Sequence, residues 1–297
     1  MRNSLGLRFA GLAVLAAAGC ASPSKHVDST TPDASVGSTL DGGGTVADAA
    51  SSADAASGGQ VGADGCLNGI ASAGPTNTAG KPGLGAHAMH YCKYMSNLPK
   101  TLVTQALSTQ ATGSMILVNI GRGDNTKFVL PTDSAGNAPY QQVDVMHPYD
   151  PYFMDSGTAM YAFAGAKGGA DFHVETPTRS DSTMDEITMA VVEIIGGSRI
   201  QDFKWNQPTD APLQSLEVAT TAPATLVAFW WGNGFPHTPQ NAVPDSDFKV
   251  IDSNAYETDS FVQSVVAVKN VSAPGSYGVT WTATPAQGAQ LWLVAVQ

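Results

Sequence analysis

The sequence predicts an all-β protein, built as a two-sheet sandwich behind a disordered N-terminal segment. Downstream of Pro99, short apolar runs rich in Val, Ile, Thr and aromatic residues recur, and clusters of Gly, Pro, Asn and Asp separate them. The runs at 224–231 and 291–296 are apolar almost throughout, which is typical of central strands covered on both faces. No internal repeat divides the region, so we expect a single sandwich of jelly-roll type.

Residues 1–19 have the layout of a secretory signal peptide. Two arginines precede an apolar run over residues 9–18, and small residues lead from there to Cys20. The run is too short to span about 30 Å of hydrocarbon as a transmembrane helix. It ends in the sequence Leu15-Ala16-Ala17-Ala18-Gly19-Cys20.

This ending resembles the lipobox of bacterial lipoproteins. The resemblance implies that Cys20 receives diacylglycerol, becomes the mature N-terminus and anchors the protein to a membrane of the cell envelope. Ala21 after the cysteine then implies the outer membrane or the cell surface. An ordinary cleaved signal peptide with an incidental cysteine is the alternative.

Residues 20–65 are predicted to be a disordered tether. They consist almost entirely of Ser, Ala, Gly, Asp and Thr, and such a composition cannot bury enough apolar surface to offset the entropy of ordering. Residues 66–297 remain for the β-sandwich domain.

The charge balance excludes nucleic acid as a partner. The chain has 14 Lys and Arg against 25 Asp and Glu, with a formal net charge of −11. In the domain the basic residues are scattered singly, whereas binding to a phosphate backbone needs a basic stripe.

The cysteines also indicate export. If Cys20 is acylated, Cys66 and Cys92 remain as a pair that can form a disulfide in an oxidising compartment. Two alternatives stay open at this point. Cys92 could belong to a metal site with His87 and His90, or both thiols could be free.

A small helix is expected at 98–109, where Leu102, Val103, Ala106 and Leu107 are spaced as on one helical face. The remaining elements are predicted to be strands. They are expected near 114–120, 140–145, 159–164, 172–175, 186–195, 200–204, 215–219, 224–231, 248–252, 261–269, 277–284 and 290–296.

The loop at 144–155 is the candidate binding surface. Aromatic faces can stack on sugar rings, and aspartates can accept hydrogen bonds from hydroxyls or coordinate calcium. No cofactor is expected otherwise. A packed loop, with aromatics capping the core, is the alternative. The candidate ligand-binding residues are Asp144, His147, Tyr149, Asp150, Tyr152 and Asp155.

No catalytic residue is assigned, because the sequence has no nucleophile elbow, zinc-protease helix motif or P-loop. The favoured hypothesis is therefore a surface-anchored lipoprotein with a binding or adhesive module for polysaccharide or another envelope component. One alternative is a secreted hydrolase of an extracellular polymer that uses paired carboxylates, for which Glu175, Asp185 and Glu186 are the candidates. The other is a purely structural envelope protein.

Overall fold

A computed structural model describes residues 65–76, 82–124, 126, 128–150, 152–179, 185–233, 242–255, 262–282 and 288–297. The signal peptide, Cys20 and all but the last residue of the tether lie outside these ranges. Within them the regular structure is β and no α-helix occurs. None of the described residues forms a helix of the length and hydropathy needed to cross a bilayer.

The described chain contains twenty strands. They are β1 (Leu67–Asn68), β2 (Ile70–Ala71), β3 (Gly83–Met95), β4 (Thr101–Val103), β5 (Thr112–Arg122), β6 (Thr132–Asp133), β7 (Gln141–Gln142), β8 (His147–Tyr149), β9 (Phe153–Lys167), β10 (Val174–Pro177), β11 (Asp185–Ile195), β12 (Ile200–Asn206), β13 (Leu213–Gln214), β14 (Val218–Thr220), β15 (Ala224–Asn233), β16 (Lys249–Ser253), β17 (Val262–Val271), β18 (Gly275–Tyr277), β19 (Thr280–Trp281) and β20 (Ala289–Val296).

Two antiparallel sheets form the sandwich. The first has the order β1-β3-β11-β5-β9-β7, with β8 also paired to β9, and the second has the order β12-β20-β15-β17-β16-β2. The all-β sandwich expected from the sequence is therefore confirmed. The two sheets draw mainly on separate halves of the chain, whereas a jelly roll is built from two Greek keys. In this respect the strand order departs from the jelly-roll type.

The inner faces of the two sheets meet in one hydrophobic core. Leu117 and Val192 of the first sheet belong to the same buried cluster as Phe229 and Trp292 of the second. The outer face of each sheet is also covered, because Trp230 is buried in a cluster on the other side of β15 and Val118 in a cluster on the other side of β5. Burial on both faces explains why the runs at 224–231 and 291–296 are apolar at nearly every position.

The predicted helix at 98–109 is wrong. Thr101–Val103 instead forms β4 and pairs with β10, and Leu107 forms a bridge with Phe172. Leu102 and Leu107 are buried as expected, but in a cluster over the outer face of the first sheet. Their burial comes from tertiary contacts of an extended chain, so the spacing mimicked a helical face.

The strand predicted at 277–284 is interrupted. The chain forms β18 and then β19, and each of these short strands pairs with a segment over the second sheet. Alternate side chains nevertheless face the core, since Val279 and Trp281 are buried and Tyr277 packs against the same cluster.

Cys66 and Cys92 form the expected disulfide, with a Cα–Cα distance of 4.6 Å. It ties the first described residues to β3, and closing a loop of this length is worth about 3 kcal/mol in the loop-entropy model. The metal alternative is excluded, because the sulfur of Cys92 is in the disulfide. The two histidines have other partners: His87 Nδ1 lies 2.8 Å from Asp252, and His90 Nδ1 lies 2.7 Å from Asn68.

Candidate functional site

The candidate loop at 144–155 folds largely as the β8–β9 hairpin at one edge of the first sheet. In its register His147 faces Thr158, and Pro148 faces Gly157. A Cβ at Gly157 would overlap the carbonyl oxygen of His147. Glycine at this position therefore allows β8 to lie close against β9.

The two tyrosines attach this hairpin to the rest of the domain. Tyr149 is fully buried; its ring meets Trp231 edge-on at 5.1 Å, and its hydroxyl donates to the carbonyl of Gly288. Tyr152 is half-buried, and its hydroxyl accepts from the Gly288 N–H at 3.1 Å. Core residues cover the Tyr149 ring, so the structure presents no face of this ring at the surface.

The acidic candidates do not converge. Asp150 and Asp155 are exposed near the tip of the hairpin, whereas Asp144 is half-buried and lies before β8. No group of three or more His, Cys, Asp or Glu is arranged to hold a metal ion within the described ranges. Of the predicted residues, the structure thus brings Asp144 into contact with His147, and Tyr149 into ring contact with Tyr152 at 5.0 Å.

His147 lies between the two sheets. Its ring stacks on Trp205 with centroids 3.7 Å apart and meets Trp292 edge-on at 5.2 Å, while Nε2 lies 3.1 Å from Asp144 Oδ2. Burial lowers the pKa of His147, although Asp144 acts in the opposite direction. The imidazole is therefore harder to protonate than a solvent-exposed one.

Gln290 holds this region rigid from the second sheet. Its buried amide donates to the carbonyls of His147 (3.1 Å) and Pro148 (2.8 Å), and its Oε1 accepts from the Thr158 hydroxyl at 2.7 Å. Trp292 Nε1 completes the chain by donating to the Thr158 oxygen at 2.8 Å. Sequence reasoning missed Gln290, although a polar residue at the start of an apolar strand was a signal for a buried hydrogen-bonding role.

A groove opens beside these residues, between the edge strands of the two sheets. Strands β7 and β12 are each terminal in their sheet. On one side of this edge, β7 and β8 both pair with β9. On the other side, β12 carries both Phe203 and Trp205. The groove and the His147–Trp205 stack therefore follow the same edge. The cavity has a volume of about 310 Å³ and is lined by Gln141, Gln142, Val143, Ala162, Ile200, Gln201, Asp202 and Phe203.

The lining combines amide groups with apolar side chains. Each glutamine side chain offers two N–H donors and a carbonyl acceptor, and Val143, Ala162 and Ile200 supply apolar surface. Asp202 is the one ionised side chain in the lining. Its Oδ1 accepts from Lys204 Nζ at 2.7 Å and its Oδ2 from the Ala219 N–H at 2.8 Å. Burial raises the pKa of Asp202, but these hydrogen bonds outweigh it and hold the pKa below its usual value.

The carboxylates considered for hydrolysis lie elsewhere. Asp185 is buried, with Oδ2 3.5 Å from Arg122 Nη2, and its neighbour Glu186 is also buried. Glu175 lies on β10 in a separate three-stranded sheet and accepts from the Thr132 hydroxyl at 3.2 Å. Asp185 is therefore engaged in a buried ion pair.

The fold and the groove together define the chain as a two-sheet β-sandwich with a groove of about 310 Å³ along one edge. Comparison with protein-family models, with curated proteins and with solved structures finds no match for this chain.

Proposed function

We propose that the protein is a surface-anchored lipoprotein whose β-sandwich binds a segment of polysaccharide in the groove between β7 and β12. The observation that carries this proposal is the lining of the groove, which combines three glutamines with the apolar side chains of Val143, Ala162 and Ile200. Sugars present hydroxyls at their rims and C–H groups on their faces, so amides and apolar surface are complementary to them. The volume of about 310 Å³ lies at the lower end of the usual range for ligand sites.

The rigidity of the groove supports the same function. Strands β7 and β12 form part of the two walls. The neighbouring β8–β9 hairpin is held in place because Gln290 of the second sheet donates to the Pro148 carbonyl and the Tyr149 hydroxyl donates to the Gly288 carbonyl. A wall that is already ordered loses little conformational entropy when a ligand binds. A short segment of a polymer can therefore be retained without closure of a lid.

The N-terminal segments support display on a surface. The tether predicted for residues 20–65 would have a typical end-to-end distance of about 40 Å, which would hold the domain clear of a membrane to which Cys20 is anchored. Cys20 and the tether lie outside the described residues, so this part rests on the sequence.

We expect Phe203→Ala and Gln142→Ala each to weaken retention of polysaccharide by about tenfold. The first removes apolar surface at the groove, and the second removes hydrogen-bonding groups at the wall. Affinity electrophoresis in gels with immobilised polysaccharide measures the change.

Gln214→Ala is the matched control for these variants. Gln214 is an exposed glutamine on β13, over the second sheet, and its loss should leave retention unchanged. Equal retention by wild type and both groove variants, with the fold intact by circular dichroism, would contradict the proposal. Release of new reducing ends from the polymer would indicate the hydrolase alternative instead.

Cys20→Ala should move the protein from the membrane fraction to the soluble fraction of the cells that produce it. The substitution removes the thiol that would be acylated, and a single lipid-modified residue is the proposed anchor. Immunoblotting of separated inner-membrane, outer-membrane and soluble fractions measures the change. Association with membranes at the wild-type level would rule out the anchor.

A further inference from the structure

We infer that the groove selects an uncharged polysaccharide whose pyranose rings carry mainly equatorial hydroxyls. This inference rests on the proposed function and names the class of ligand for the same groove. Its basis is the placement of charges and apolar surface around β7 and β12.

The charge in the lining is already compensated. Asp202 pairs with Lys204 at 2.7 Å, and the same ammonium group donates to the carbonyl of Phe203 at 3.2 Å. A carboxylated or sulfated sugar would therefore find Lys204 engaged. A cationic sugar would equally find Asp202 satisfied by three donors, which are Lys204, the Ala219 N–H and the Phe203 N–H.

The charges that flank the groove are also occupied. Arg199, just before β12, donates to Gln201 and to Gln297 at 3.0 Å each, while Asp144 lies against His147. One flanking charge is positive and the other negative. A charged ligand loses hydration on entering the groove, and that loss is costly unless a new ionic partner replaces the water. An uncharged hydroxyl can be compensated by the amides of Gln141 and Gln142 and by the side-chain N–H groups of Gln201, whose oxygen already accepts from Arg199 and Thr221.

The distribution of polar and apolar groups favours one ring geometry. Polar side chains come from both walls, with Gln141 and Gln142 on one side and Gln201 on the other, and Val143, Ala162 and Ile200 provide the apolar part of the lining. A pyranose with equatorial hydroxyls carries its polar groups around the rim of the ring, and its two faces present axial C–H groups. Such a ring can set a face on the apolar surface and turn its hydroxyls toward the glutamines. An axial hydroxyl would be buried against carbon without a partner, which is unfavourable.

The test compares polymers that differ in one property at a time. Full-length protein in detergent is measured by affinity electrophoresis with hydroxyethyl cellulose, which is uncharged and equatorial, and with carboxymethyl cellulose and diethylaminoethyl cellulose as its anionic and cationic counterparts. Galactomannan, uncharged but with axial hydroxyls, is the fourth probe. We expect hydroxyethyl cellulose to be retained at least about tenfold more strongly than carboxymethyl cellulose and galactomannan at 0.1 M salt, where surface charges are partly screened. Retention by the cationic polymer that persists in Phe203→Ala is the ion exchange expected of a chain with a net charge of −11.

The outcomes separate the inference from the proposed function. The inference would be overturned if a charged polymer or galactomannan were retained at least as strongly as hydroxyethyl cellulose and this retention were lost in Phe203→Ala. That result would still support polysaccharide binding in the groove. Retention of none of the four would overturn both. Lys204→Gln is the matched variant, and it should leave retention of hydroxyethyl cellulose within about twofold, because the inference assigns Lys204 to Asp202. A larger loss would show that Lys204 contacts the ligand and would overturn the inference.

Discussion

Replacement of Glu193 by alanine is expected to lower the free energy of unfolding by about 3–5 kcal/mol. This carboxylate is buried in β11 and joins three segments of chain. It accepts from the N–H of Ala86 at 3.0 Å, the N–H of Gln110 at 2.8 Å and the hydroxyl of Ser114 at 2.6 Å. A buried donor without its acceptor costs about 1–3 kcal/mol, and alanine would leave the buried Ser114 hydroxyl and two part-buried backbone N–H groups without one.

Unfolding in guanidinium chloride measures this effect. Glu175→Ala is the control, since Glu175 is half-buried and accepts one hydrogen bond near the surface; we expect it to change stability by less than about 1 kcal/mol. Glu193→Gln keeps one acceptor oxygen and should fall between the two. A loss below about 1 kcal/mol for Glu193→Ala would show that the three segments are held by other contacts.

Arg122→Met should also destabilise the domain by about 3–5 kcal/mol at neutral pH, because removing one partner of a buried ion pair leaves the other charge uncompensated. Arg122 is fully buried, with Nη2 3.5 Å from Asp185 Oδ2 and Nη1 donating to the carbonyl of Pro177 at 3.2 Å. Methionine fills much of the same volume, so the lost charge dominates the effect.

The loss should depend on pH in a defined direction. Burial raises the pKa of Asp185 above its ordinary value of 3.8, although Arg122 opposes the shift. The folded state therefore binds the proton more tightly than the unfolded state, and stability falls as the pH rises from about 3.8 through the folded pKa. Without Arg122 the folded pKa rises further. The deficit of Arg122→Met should accordingly be larger at pH 7 than at pH 4.

The double variant Arg122→Met, Asp185→Asn tests the cause. It removes the uncompensated carboxylate, so its stability at pH 7 should exceed that of Arg122→Met alone, and the difference between the two pH values should shrink. Denaturant midpoints at both pH values give the comparison. An equal deficit for Arg122→Met at the two pH values would mean that packing, rather than the ion pair, explains the loss.

The central position of strand β15 was predictable from the sequence alone. Its apolar run predicts a central strand, and the structure buries Phe229 on the inner face and Trp230 on the outer face. Burial on both sides leaves a continuous apolar sequence, and this signal is local to the strand. The burial of alternate residues around Val279 and Trp281 is likewise a local feature, since successive side chains of an extended chain point to opposite sides.

Strand β3 shows where this reasoning fails. Gly83–Met95 is a long strand of the first sheet, yet it is composed largely of Gly, Ala, His and Met, and no strand was predicted there. Its extended form comes from pairing with β1 on one side and β11 on the other. Strand propensity depends strongly on such context. The helix expected at 98–109 was wrong for a related reason, since Leu102 and Leu107 are buried by distant parts of the chain.

The candidate site was likewise predictable only in part from the sequence. The sequence directed attention to the loop at 144–155, and that loop does lie along the edge with the groove. It could not show that Tyr149 is covered by Trp231, or that Gln141 and Gln201 line one groove from opposite sheets. These pairs are far apart in the chain, and no local pattern relates them.

The sequence by itself thus determined the fold class, the paired cysteines and the strands whose faces are buried, because each of these leaves a record in neighbouring residues or in composition. The tertiary structure alone decided which strands became edges, which aromatic rings were enclosed and which amides faced one another across the groove. Those outcomes depend on how two whole sheets pack, and the free energy of that packing is distributed over residues from the entire domain.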